Sequence, residues 1–237
     1  MTAKRLVLFD IDGTLIDTAG AGRRGLTASF RAVFGLDGVD EAAERVRFGG
    51  KSDPTIIADI AREAGLPPAL VAERYADLQA AYLEALLSEL ARPDTARRVL
   101  PGVRSLLDGL AARGDVVLGL VTGNIEAGAR AKLSAFDLNR YFQGGGFSSD
   151  HPDRGEIARI AHERLSRVAG FRFPAGDVVV VGDTELDVAC ARTNGFRAIA
   201  VESGWIPRAV LEAAEPHALF ADLTDRDAVM AAMGLAG

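Results

Sequence analysis

Four short apolar runs, at positions 6–9, 116–121, 178–181 and 197–201, each stop abruptly at a polar or glycine-rich turn. They are too uniformly apolar to alternate, so they predict strands buried on both faces, the pattern of a parallel sheet covered by helices. Helical periodicity fills the intervals. One pattern spans 101–113, with Pro101 as a favourable first-turn residue and Gly114 as its end; others span 125–136 and 154–168, the last before Gly170. This alternation predicts an α/β fold, a Rossmann-like parallel sheet with helices on both faces. Residues 145–148 and 218–221 are weaker strand candidates, expected at the sheet edges. The stretch 17–98 breaks the rhythm, with helical patterns, longest over 72–90, and no convincing strand. It predicts a small all-α domain inserted after the first strand, with the core formed by 1–16 and 99–237. An insert at that point lies above the carboxyl ends of the strands, where it can act as a lid.

Composition narrows the function classes. With 237 residues, 49% hydrophobic and 25% charged, the chain has material for one or two buried cores. A net charge of -6, with the charges interspersed, argues against nucleic acid as the main partner, because binding phosphate backbones needs clustered Lys and Arg. Lys4, Lys51 and Lys132 are the only lysines, which draws attention to the latter two. Cys190 is alone, so no intrachain disulfide can form, and a reducing compartment fits. The basic start Met1-Thr2-Ala3-Lys4-Arg5 leads straight into the first strand and not to a cleavage site, and no apolar stretch approaches the length of a membrane span. A cytoplasmic protein without a membrane partner is expected; oligomeric state is left open.

Chemistry concentrates where three of the apolar runs end: Phe9-Asp10-Ile11-Asp12-Gly13-Thr14, Val121-Thr122-Gly123-Asn124, and Val181-Gly182-Asp183-Thr184-Glu185-Leu186-Asp187. In open parallel sheets ligands gather at such tips. Crowded carboxylates there either raise a pKa or require a counter-cation, and oxygen ligands on a short turn suit a hard ion such as magnesium. If the three strands are neighbours, their tips bring together acidic metal ligands, a hydroxyl and a backbone amide, the elements needed to bind phosphate beside a cation. Each residue also has a structural reading. Asp-x-Asp-Gly occurs in plain turns, Thr122 can cap the following helix, and Thr184 with Asp187 has capping-box spacing.

In this order, and each after a buried strand, the three motifs resemble the haloacid dehalogenase superfamily, particularly its phosphoglycolate phosphatase-like branch with a helical cap after the first strand. The resemblance spans nearly the whole chain. It implies that Asp10 is a nucleophile forming an aspartyl-phosphate, that Asp12 is the acid and base serving the two half-reactions, and that Gly13 permits the turn between them. It further implies Mg2+ held by Asp10, the Asp12 backbone carbonyl and Asp183, with Asp187 in support, and phosphate contacted by Thr122, Gly123 and Asn124. The implied activity is magnesium-dependent hydrolysis of a small phosphorylated metabolite, with phosphoglycolate the first substrate to test. A β-phosphoglucomutase-like mutase is the alternative, ranked lower because the histidine usual in its first cap helix is missing from 20–34. A non-catalytic binding or regulatory module is a minor one, since Asp10 and Asp12 are both retained.

The chain departs from the family pattern at the lysine that usually precedes the last motif. Arg154 stands in that region, after an Asp153/Glu156 helix-start pair, and is assigned the cationic role beside phosphate and Asp10; Lys132 is the substitute candidate. In the insert, Phe48-Gly49-Gly50-Lys51-Ser52-Asp53-Pro54 resembles the cap loop that contacts the substrate's leaving group, with Lys51 offering an ammonium; the competing reading is a capped helix start with a solvated lysine. Cys190 and Trp205 are expected to serve packing, Trp205 near the rim of the site, and the scattered His151, His162 and His217 form no metal set.

Overall fold

The computed structural model describes residues 5–93 and 96–235; the basic start Met1 to Lys4 lies outside them. Strand β1 (Arg5–Phe9) occupies the middle of a parallel sheet, because Leu6, Val7, Leu8 and Phe9 are all fully buried and need cover on both faces. It pairs in parallel with β4 (Val116–Val121) on one side and β6 (Val178–Gly182) on the other. Beyond these lie β5 (Gly145–Gly146) at one edge, then β7 (Arg197–Val201) and β8 (Ala218–Phe220) at the other, giving the order β5-β4-β1-β6-β7-β8. The two weak strand candidates are the two edges, where short strands leave little unpaired backbone to template a foreign strand.

Helices α6 (Val103–Ala111), α7 (Glu126–Ser134), α8 (Arg154–Ala169), α9 (Glu185–Thr193), α10 (Arg208–Ala213) and α11 (Arg226–Ala232) complete the core. Two apolar clusters result, one on each face of the sheet: Val7, Phe9, Leu120 and Val181 belong to one, and Leu6, Leu8, Val178 and Val180 to the other. Helix α6 begins two residues later than the sequence pattern indicates. Gly102, in the left-handed region at φ 78, precedes its first turn and abuts the Leu223 carbonyl, so Pro101 remains outside the helix.

Between β1 and α6 the described residues form a two-residue strand β2 (Ile16–Asp17), five helices, and β3 (Arg98–Val99), which pairs antiparallel with β2. This ribbon at the borders of the insert has no sequence signal of its own, because two residues are too few to show a period. The helices are α1 (Ala21–Phe34), α2 (Val39–Glu44), α3 (Asp53–Glu63), α4 (Pro68–Glu73) and α5 (Tyr75–Ala91). The 72–90 pattern is thus split: Arg74, at φ -99 and ψ 12, leaves helical geometry and separates α4 from α5. Phe30, Ile57, Ile60, Leu78, Tyr82 and Leu86 bury one another in an apolar cluster that belongs to the insert. No described helix is long and apolar enough to cross a membrane.

Candidate active site

At the tip of β1 the Asp10 amide donates to the Val181 carbonyl (2.9 Å), which carries β1–β6 pairing one residue past the strand end and aims the Asp10 side chain over the sheet. The chain then turns through Gly13 at φ 83, whose missing Cβ leaves room for the Asp183 carboxylate, and Thr14 Oγ1 donates to Asp183 Oδ1 at 3.3 Å. Neighbouring strands therefore bring the first and third motifs together. Single carboxylate oxygens of Asp10, Asp183 and Asp187 all lie within 4.8 Å of one another, and all three residues are buried.

Such crowding is visible in the titration of these groups. Burial raises the Asp10 carboxyl to about 6, against the opposing pull of Arg154 and with help from Asp187 and Asp12. Asp183 is also raised, by burial and then by Asp10 and Asp187. Arg154, at the first turn of α8, supplies the local compensation: its guanidinium lies 3.0 Å from Asp10 Oδ1 and donates through Nε to Asp187 Oδ1 at 3.1 Å. The sequence tension between that arginine and the helix dipole is resolved here by the two carboxylates.

Asp187 has little coordination left to offer. Its Oδ2 accepts from the Thr184 amide (3.0 Å) and hydroxyl (2.7 Å), completing a capping box on α9, while Oδ1 receives Arg154. The capping and site readings of Asp187 hold together: it orients Thr184 and Arg154 behind the front pair. A hard divalent cation fits this donor set, since carboxylates crowded in low dielectric are stabilised by positive charge and oxygen ligands suit magnesium. Asp10 and Asp183 would be the carboxylates to hold it, since both Asp187 oxygens are engaged by Thr184 and Arg154.

On the other side of Asp10, Asp12 is held by two groups from the second motif and the helix after it. Lys132 Nζ lies 2.6 Å from Asp12 Oδ2 and donates at 2.6 Å to Asn124 Oδ1, and Asn124 Nδ2 donates to Asp12 Oδ2 at 2.9 Å. Lys132 is 4% exposed, unusual for a lysine and explained by these partners. The two basic candidates thus divide the carboxylates, Arg154 with Asp10 and Lys132 with Asp12. Thr122 does not cap α7. Its Oγ1 accepts from the Asn124 amide (3.2 Å) and Nδ2 (2.8 Å), and α7 starts at Glu126.

Ser149 Oγ accepts from the Glu126 amide at 2.9 Å, and the Ile125 amide before it is met from the insert. Asp53 Oδ2 accepts from the Ile125 amide at 2.8 Å, and the Asp53 amide donates to the Gly123 carbonyl at 2.7 Å. The same loop closes a cavity of about 780 Å³ whose floor carries Asp10, Asp12 and Asp183 and whose walls include Lys51, Arg23 and Trp205. Lys51 does border this space, but its ammonium is engaged by Asp59 on α3 at 2.7 Å. Trp205 is not a packing residue; it stands 66% exposed at the rim. Cys190 is buried, with its thiol raised to about 12 by that burial, and so is chemically quiet.

Two residues on this cavity escape sequence reasoning. Asp53 reads as an ordinary acidic residue in a helical first turn, and nothing local reveals that it serves a different helix. Arg23 lies over the Phe48 ring (4.0 Å to the centroid) and donates to the Ala43 and Val46 carbonyls, with no carboxylate partner among the described residues. The small residues Gly20, Ala21 and Gly22 just before it are the one available hint that this helix approaches the core closely.

A carboxylate paired with a guanidinium, a second carboxylate two residues on, and a buried acidic cluster beneath the insert are the groups a phosphoryl-transfer site needs, and the relatives of this chain are phosphatases. The chain belongs to the haloacid dehalogenase-like hydrolase family, whose profile matches residues 7–192. It is 30% identical over 219 residues to a phosphoglycolate phosphatase of Mesorhizobium japonicum, covering 92% of this chain and 90% of that one. Likewise it is 29% identical over 221 residues to a probable phosphatase, IndB, of Dickeya dadantii, covering 91% and 89%. Among solved structures, the fold matches CbbY of Rhodobacter sphaeroides in complex with phosphate, with a TM-score of 0.73 at 22% identity over 94% of this chain and 96% of that one.

Proposed function

We propose that this phosphatase is magnesium-dependent and hydrolyses a small phosphorylated metabolite through an aspartyl-phosphate on Asp10, with residues 17–98 acting as its cap. The observation that carries the reading is the meeting of Asp10, Asp183 and Asp187 within 4.8 Å, with Arg154 on Asp10, at the floor of a cavity roofed by the insert. Asp10 and Asp183 would hold the cation with the Asp12 backbone carbonyl, and when bound it would neutralise charge on the phosphoryl group.

The chain's own groups divide the remaining work. Arg154 offsets the negative charge of Asp10 and the phosphate, which otherwise repel. The Thr122 hydroxyl and the Gly123 amide hold phosphoryl oxygens just ahead of α7, with the Asn124 amide fixing the Thr122 oxygen from behind. An Asp10 carboxylate oxygen attacks phosphorus, the ester P–O bond breaks, and Asp12 gives its proton to the leaving oxygen. Water then attacks phosphorus while Asp12 takes a proton from it, and the P–O bond to Asp10 breaks, restoring both residues. Lys132 and Asn124 hold the Asp12 oxygen in place through these exchanges. At the far wall Arg23, which makes no ion pair with a carboxylate among the described residues, suits a substrate bearing a second anionic group, such as the carboxylate of phosphoglycolate.

The test is phosphate release from a panel of phosphomonoesters, phosphoglycolate included, with and without Mg2+. Magnesium-dependent release that is lost in Asp10→Asn supports the reading. An inert wild-type protein, or an Asp10→Asn variant that turns over normally, removes it, and sugar-phosphate isomerisation outrunning phosphate release would make the protein a mutase.

A further inference from the structure

One segment of the insert, residues 50–53, touches all three parts of the core that line the site. The Gly50 carbonyl accepts from Arg154 Nη1 at 3.1 Å, and a Cβ at Gly50 would lie 2.6 Å from Thr184 Oγ1. Ser52 Oγ donates to the Pro152 carbonyl at 2.7 Å. The Lys51 carbonyl lies against Gly123 so closely that no Cβ fits there. Asp53 then makes a two-way link with the second motif: its amide donates to Gly123 O (2.7 Å) and its carboxylate accepts from Ile125 N (2.8 Å). Helix α7 has no side-chain cap from its own strand-to-helix turn. Its first helical amide, Glu126, is satisfied from the core by Ser149 Oγ at 2.9 Å, but the N-cap amide of Ile125 is satisfied by a residue 72 positions away, on the insert that roofs the cavity.

We propose that Asp53 is a positioning residue that makes the anion-binding turn at Thr122, Gly123 and Asn124 conditional on closure of the insert. With the insert down, Asp53 clamps both ends of that turn, at the Gly123 carbonyl and the Ile125 amide, and holds the amides of Gly123 and Asn124 in one orientation. With the insert raised, both bonds break together, the Ile125 amide turns to water, and the turn loosens its grip on phosphate. Anion binding and closure are then reciprocally coupled: an anion on the turn favours the closed insert, and closure tightens the anion. Product release follows from opening without a separate device. This inference rests on the phosphatase reading for the identity of the anion, but its test does not depend on turnover.

Amide hydrogen exchange on the wild-type protein with Mg2+, with and without saturating inorganic phosphate, reads the clamp directly. The Asp53 and Ile125 amides are expected to show matching protection factors, since one opening exposes both, and phosphate is expected to raise them together. Asp53→Ala should speed exchange at Ile125 and weaken phosphate binding about tenfold, read by the emission of Trp205 at the rim. On an active substrate it should raise KM more than it lowers kcat. Asp53→Asn, which keeps the acceptor, should recover most of the loss. Unequal Asp53 and Ile125 protection factors, protection indifferent to phosphate, or an Asp53→Ala protein that binds phosphate as wild type does would each overturn the clamp. If Asp53→Ala does not fold, the wild-type exchange comparison decides alone. A wild-type protein that hydrolyses no phosphomonoester yet shows phosphate-linked protection would sink the phosphatase reading and leave the clamp standing.

Discussion

The core and the insert place functional groups by opposite means. In the core, Asp10, Thr122 and Asp183 stand one or two residues beyond parallel strands whose pairing, Phe9 with Leu120 and Val181, leaves almost no freedom in where the tips fall. In the insert, Arg23, Lys51 and Asp53 belong to a helical body whose apolar cluster takes in Ile125 of the core, joined to the core by β2 and β3 and packed against it again through α5 on α7 and through the 50–53 loop. Position in the core is inherited from the sheet; position in the insert depends on whether the body is docked. Chemistry that must not move is therefore assigned to the first, and recognition that must open and close to the second.

Substitutions that separate these two roles can break the comparison. The largest effect is expected at the core tip: Asp10→Asn should lower phosphate release by about a thousandfold or more, with the fold intact by circular dichroism, because the attacking atom is lost. Gly123→Ala comes next. Its methyl would overlap the Lys51 carbonyl, so the insert cannot seat; kcat/KM should fall by roughly a hundredfold. If it leaves kinetics unaltered, docking is not needed for chemistry. Arg23→Met should cost about tenfold in kcat/KM for phosphoglycolate and far less for ethyl phosphate, which lacks the carboxylate, and equal losses on both would deny Arg23 a role in selectivity.

A smaller effect concerns pH. Burial raises the Asp53 carboxyl from the ordinary 3.8 to about 6, opposed by Lys132 and the Ile125 amide. A raised acid binds its proton more tightly folded than unfolded, so its contribution to stability is fully present below 3.8 and is lost as pH rises through about 6. In chelator-treated protein, Asp53→Asn should therefore melt progressively higher relative to wild type between pH 4 and pH 7, and a constant difference would refute the assignment. Smallest of all, Lys51→Ala should change kcat/KM by less than about threefold, because its ammonium is already engaged by Asp59. A larger change in substrate profile would return Lys51 to substrate contact.

The same contrast explains what could be read from the chain. Sheet order, edge strands and the converging acidic motifs are legible because buried parallel strands write continuous apolar runs, and their tips follow directly. Asp187 could be seen both as a capping residue and as part of the acidic cluster, and its two oxygens serve Thr184 and Arg154 separately. The insert's contribution is not legible in that way. Asp53 answers an amide 72 positions on, and Lys51 answers Asp59 on the helix that follows it, and neither partner leaves a trace in spacing or composition. The split of α4 from α5 at Arg74 and the exposure of Trp205 are likewise outcomes of docking and loop geometry, not of local propensity.

The narrow β2–β3 ribbon carries a consequence for how this architecture diversifies. Ile16 faces Val99 across it, and the Leu100 amide bonds the Leu15 carbonyl at 3.0 Å, so the chain leaves the sheet and returns to it at practically the same point. Whatever is threaded between those residues imposes no strain on the scaffold beneath. A helical body of different shape, or a short turn of a few residues, could be spliced there without altering a single strand pairing, so new specificities can be acquired by exchange of a whole module while the acidic tips of β1 and β6 keep their places.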